Sequence, residues 1–74
     1  MRNFRVYGCF YMVPDRAPER WRVDEIPLSG WVDEAKAREL AQAETRVEYT
    51  RGCTCLSVRV ETRDKKIVWQ WYHD

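Results

Sequence analysis

At 74 residues the chain is long enough for one small domain, 1–74, with a marginal core of its own. Apolar residues at 45% and charged residues at 34% exclude a disordered chain. The balance of 13 basic against 12 acidic residues excludes strong whole-molecule attraction to nucleic acid or an anionic membrane, so any partner has to be met by a local patch.

The first predicted element is Phe4 to Val13, "FRVYGCFYMV". Phe4, Val6, Gly8, Phe10 and Met12 alternate with Arg5, Tyr7, Cys9, Tyr11 and Val13, the period of a strand. "PDRAPE" over 14–19 reads as a loop. Arg20 to Ile26 alternates again, Trp21 and Val23 against Arg22 and Asp24, as the return strand of a hairpin that Pro27 ends. "SGWVDEAKARELAQAE" is the one helix candidate, with Ser29 or Gly30 as N-cap and Asp33 and Glu34 at the positive end of its dipole. Glu34 and Arg38 stand at i,i+4, and Ala37, Leu40 and Ala41 form a narrow stripe that lets the helix lie close on a sheet. "RVEYT" is a short strand or a linker, and Arg51-Gly52 a turn. "CTCLSVRVET", the polar turn "RDKK" and "IVWQWYH" form a second hairpin. The expected fold is α+β: a four-stranded, largely antiparallel sheet in the order β-β-α-β-β, one helix on one face. A β-grasp-like order and a simple meander both satisfy the pattern.

Alternation in the second hairpin puts Thr54, Leu56, Val58 and Val60 on one face and Cys53, Cys55, Ser57, Arg59 and Glu61 on the other. Ile67, Trp69 and Trp71 join the first set. The sequence thus favours Cys53 and Cys55 as small strand residues facing away from the helix. Zinc at Cys9, Cys53, Cys55 and His73 is disfavoured, because alternate strand residues lie about 6.6–7 Å apart and C-x-C is not a turn spacing. A Cys53–Cys55 disulfide is disfavoured by parallel Cβ vectors; Cys9 could reach Cys53 or Cys55 only if the first and third strands are neighbours. Three cysteines cannot all pair within one chain, no signal-peptide pattern is visible and no membrane-spanning run occurs, so the expectation is a reduced, cytoplasmic protein.

Catalysis is not expected. The single His73 lies beside the end of the sequence, the acid pairs Asp24-Glu25 and Asp33-Glu34 are adjacent rather than convergent, and no nucleophile-elbow, phosphate-loop or HExxH pattern occurs. No cofactor is expected. The face opposite the helix is the richer object: Arg5, Tyr7, Cys9, Tyr11, Arg22, Ser57, Arg59, Gln70 and Tyr72 fall there by alternation. Tyrosine interleaved with arginine suits a protein interface or a dimer seam, and also the stacking of single-stranded bases. The candidate partner-binding residues are Arg5, Tyr7, Tyr11, Arg22, Arg59, Tyr72 and the turn cations Arg63, Lys65 and Lys66.

The stretches "WRVDEIPLSGWVDEAKARELAQ", "CTCLSVRVET" and "KIVWQWYH" together resemble small phage-encoded accessory proteins, some anti-CRISPR inhibitors of type I surveillance complexes among them. The resemblance covers residues 21 to 72 and lies in element order and polarity. It implies a non-enzymatic inhibitor that occludes a larger protein or nucleoprotein complex. A single-stranded nucleic-acid-binding module is the alternative, and a homodimer remains open.

Overall fold

The computed structural model describes residues 2–13, 22–49 and 53–73. The expected loop at 14–19, Trp21 and the expected turn at Arg51-Gly52 lie outside them. Five elements follow in chain order: β1 (Phe4–Met12), β2 (Arg22–Pro27), α1 (Glu34–Glu44), β3 (Cys53–Thr62) and β4 (Ile67–Tyr72). The four strands form one sheet in the order β2-β1-β3-β4, every neighbouring pair antiparallel. The α+β class and the β-β-α-β-β order are those the sequence implies. The strand order is neither a meander nor β-grasp-like. Each hairpin contributes its longer strand to the centre: β1 with 9 residues and β3 with 10 adjoin, and β2 and β4, with 6 residues each, take the edges.

One face of the sheet is closed by α1, which packs on the two central strands. Val6 and Phe10 of β1, Cys55, Val58 and Val60 of β3, and Ala37 and Ala41 of α1 make the buried core. Ala37 and Ala41 are fully inaccessible, so the predicted alanine stripe is the contact line, and Leu40 packs at its side. Methyl-sized side chains bring the helix backbone near the sheet. An isolated helix of 11 residues would be marginal in water.

The helix begins later than Ser29 or Gly30. Asp33 is the N-cap, its carboxylate accepting from the Lys36 backbone N–H at 2.8 Å. Residues 28–32 are occupied otherwise. Leu28 N–H donates to the Val6 carbonyl, Val6 N–H donates to the Ser29 hydroxyl, and Val32 exchanges two backbone hydrogen bonds with Phe4. This segment satisfies the edge of β1 beyond the end of β2. The i,i+4 pair Glu34–Arg38 forms at 3.2 Å.

Two bulges break the simple alternation. Cys9 pairs with Ser57 and Phe10 with Cys55, so Leu56 is the extra residue in β3. Val60 pairs with Trp69 and Glu61 with Ile67, so Val68 is the extra residue in β4. Each inserted residue flips every side chain beyond it to the opposite face. Cys53 and Cys55 therefore lie on the helix side, Cys55 in the core, and not on the outer face that strict alternation assigns. Ile67, expected under the helix, lies on the outer face opposite Glu61. Gly8 has its own local cause: the Phe10 ring folds back over it, leaving no room for a Cβ.

Candidate interaction surface

The register fixes what the uncovered face presents. Four cross-strand rows run over it: Arg5, Glu61 and Ile67; Pro27, Tyr7, Arg59 and Gln70; Glu25, Cys9, Ser57 and Tyr72; Val23, Tyr11 and Thr54. No element covers these rows among the described residues. Val23, Ile67 and Tyr72 are the exposed large apolar side chains here, with Tyr72 63% accessible.

Arg59 is the electrostatic centre. Its Nε donates to Glu61 and its Nη1 to Glu25 at 3.0 Å, while the guanidinium lies 4.9 Å from the Tyr7 ring centroid. Its side chain is only 14% exposed, as buried as that of Glu61 at 13%. Burial alone would lower the Arg59 pKa; Glu61 and Glu25 more than offset this and raise it above the ordinary value, so the charge is locked on. The cation is thus neutralised in place by two carboxylates. The sequence shows both glutamates, but only the register brings Glu25 of β2 within reach of β3 across β1.

At the row nearest the β3–β4 turn stands Trp31, which the sequence places inside the helix candidate. Its ring takes the Arg5 guanidinium at 4.6 Å and that of Arg63 at 4.4 Å. Arg63 also donates to the Asn3 side-chain oxygen at 3.2 Å and to the Arg2 carbonyl at 3.0 Å, tying the turn to the start of β1. Trp31 reaches this position because Val32 is held to Phe4, which turns its neighbour to the Arg5 side.

Of the predicted contact residues, Arg5, Tyr7, Tyr11, Arg59 and Tyr72 share the open face, and Arg63 borders it at Trp31. Lys65 and Lys66 are exposed in the adjacent turn, Lys65 with a left-handed φ of 67°. Asp64 in the same turn accepts from the Thr62 hydroxyl, which lowers its pKa. Arg22 does not belong to the surface. It pairs with Met12 on the helix side of the sheet edge and is bound to Asp24 at 2.9 Å. In β2 the outer residues are Val23, Glu25 and Pro27, opposite Tyr11, Cys9 and Tyr7.

On the helix side, Glu44, Tyr49, Cys53, Cys55, Trp71 and His73 line a cleft of about 340 Å³. Three of the four residues weighed for zinc thus meet, while Cys9 points from the opposite face. All three cysteines are free, although β1 and β3 are neighbours. Among the described residues no three His, Cys, Asp or Glu side chains are placed to hold a metal ion. Burial, then the nearby Glu44 charge, pushes the Cys55 thiol pKa up, which disfavours the thiolate a nucleophile needs.

Among the described residues no helix is long and apolar enough to cross a membrane. The fold and surface define a small α+β domain with one helix-covered and one open sheet face. Comparison with protein-family models, with curated proteins and with solved structures returns no match for this chain.

Proposed function

We propose that this protein is a small, non-enzymatic interaction module that binds a larger protein through its open sheet face. The observation that carries the reading is the pairing of Arg59 with both Glu25 and Glu61. It leaves a face of tyrosine, valine, isoleucine and proline side chains whose main cation is already neutralised. Aromatic and aliphatic area with internally balanced charge suits a protein partner. A single-stranded nucleic acid would require cations free to displace counterions along its backbone, and Arg59 is engaged elsewhere. Three free thiols support a reducing compartment, the cytoplasm. Occlusion of a nucleoprotein complex is a particular form of this proposal and rests on the resemblance to phage-encoded inhibitors alone.

The test is affinity capture from the cells that make the protein, comparing three baits. Wild type and Gln42→Glu, an exposed helix substitution, should retain the same partner. Val23→Lys with Ile67→Lys, two exposed positions on the open face, should lose it while keeping the wild-type circular dichroism spectrum. Equal capture by all three baits refutes the face assignment. Retention of single-stranded oligonucleotides that falls steeply with salt would favour the nucleic-acid reading instead.

A further inference from the structure

The two edges of the sheet differ, and the difference points to self-association. In an antiparallel ladder, alternate residues of an edge strand direct their N–H and C=O groups toward the neighbour and the rest direct them outward. His73 N–H donates to the Leu56 carbonyl at 2.9 Å, so His73, Trp71 and Trp69 bond inward to β3, and Gln70 and Tyr72 present their backbone groups outward. On the other edge, Leu28 N–H donates to the Val6 carbonyl, so Val23, Glu25 and Pro27 are the outward residues of β2.

The β2 edge is protected. Pro27 offers no N–H, and Glu25 holds a charge at the edge, two devices that prevent strand addition. The β4 edge has neither: "IVWQWY" carries no charge, no proline and no glycine. Among the described residues its protection is at the Val68 bulge, whose carbonyl accepts from Arg38 of the helix at 3.2 Å. The open stretch therefore runs from Trp69 to His73 and is centred on Trp71.

We propose that two copies of this chain join through β4, antiparallel and centred on Trp71. Gln70 of each copy then exchanges two backbone hydrogen bonds with Tyr72 of the other, and the two Trp71 residues face each other as a non-hydrogen-bonded pair, the closer of the two pair types. The two-fold axis is perpendicular to the sheet, so both helices lie on the same side and both open faces form one surface. Charge permits this occupant: β4 carries no Asp, Glu, Lys or Arg, so pairing two identical copies of it opposes no like charges. The inference does not depend on the partner proposed above.

Sedimentation velocity over a range of concentrations tests the association, and paired substitutions test the register. Gln70→Lys with Tyr72→Lys sets lysines directly opposite each other at both crossings and should weaken self-association by roughly tenfold. Gln70→Glu with Tyr72→Lys sets opposite charges there and should restore it. Hydrogen exchange on the wild-type protein supplies a reading that needs no variant: the Gln70 and Tyr72 amides should gain protection as concentration rises, and those of Val23 and Glu25 should not. A wild type monomeric at every concentration overturns the proposal. So does a dimer on which the two charge patterns act alike, or one in which the protected amides lie in β2.

Discussion

Adding one methyl group at Gly8 probes how tightly the core is closed. A Cβ there would stand 2.5 Å from Phe10 Cε2, 2.8 Å from Phe10 Cζ and 2.9 Å from Leu28 Cδ1. Carbon atoms pack at about 3.5–4.0 Å, so the ring must move. Phe10 is 4% exposed and its ring meets Tyr49 edge-on at 5.2 Å, so it has little room to do so. Overpacking of this kind costs about 1–3 kcal/mol, and the smaller conformational freedom of alanine in the unfolded chain returns about 0.4–1 kcal/mol. Gly8→Ala should therefore destabilise by about 1–2 kcal/mol, lowering Tm by about 4–8 °C for each kcal/mol. Urea and thermal unfolding followed by tryptophan fluorescence measure this. The same substitution in a Phe10→Leu background should cost less, since most of the clash is with the ring. A Gly8→Ala protein as stable as wild type would refute the packing argument, as would an equal penalty in both backgrounds.

Three further expectations concern other parts of the fold. Arg59→Leu leaves Glu61 and Glu25 without their cation and should destabilise by about 1–3 kcal/mol in chemical denaturation, whereas Glu25→Gln, at an exposed side chain, should cost under about 0.5 kcal/mol. Lys65→Gly relieves a left-handed backbone at φ 67° and should stabilise the β3–β4 turn by about 1 kcal/mol, read as a higher urea midpoint at unchanged slope. Iodoacetamide at mildly alkaline pH should label Cys9 well before Cys55, which mass spectrometry of the digest resolves. Because the folded Cys55 pKa is raised, its contribution to stability is complete below the ordinary thiol pKa and is lost as pH rises through the folded value.

The alternation in "FRVYGCFYM" and the alanine spacing in the helix define the layers, because burial of one face is what selects those residues. The bulges escape that pattern, because a period of two carried through a strand assumes no inserted residue. A signal was present in β3. Leu56, Val58 and Val60 share one phase, Cys53 and Cys55 the other, and cysteine is as much a core residue as valine. Two apolar sets of opposite phase in one strand mark a bulge between them. In β4, the adjacent Ile67 and Val68 carry the same signal. Alternation gives Arg22 the wrong face because an edge strand reading "RVDEIP" has no apolar face strong enough to fix its phase. The helix start moved to Asp33 because Val32 is held to Phe4, a tertiary pairing invisible to local capping rules. Glu61 shares the face of Arg59 at i+2 in β3 and is legible by alternation, whereas Glu25 and Trp31 come to the surface through pairings between distant segments, which sequence spacing does not contain.

The account turns on recognition by the uncovered sheet face and not by the helix. Site-specific photo-crosslinking in the cells that make the protein tests this most directly, with the reactive side chain placed at Val23 on the open face or at Gln42 on the exposed side of the helix. The account predicts a discrete crosslink to a larger protein from position 23 and none from position 42. A crosslink from position 42 alone would contradict it.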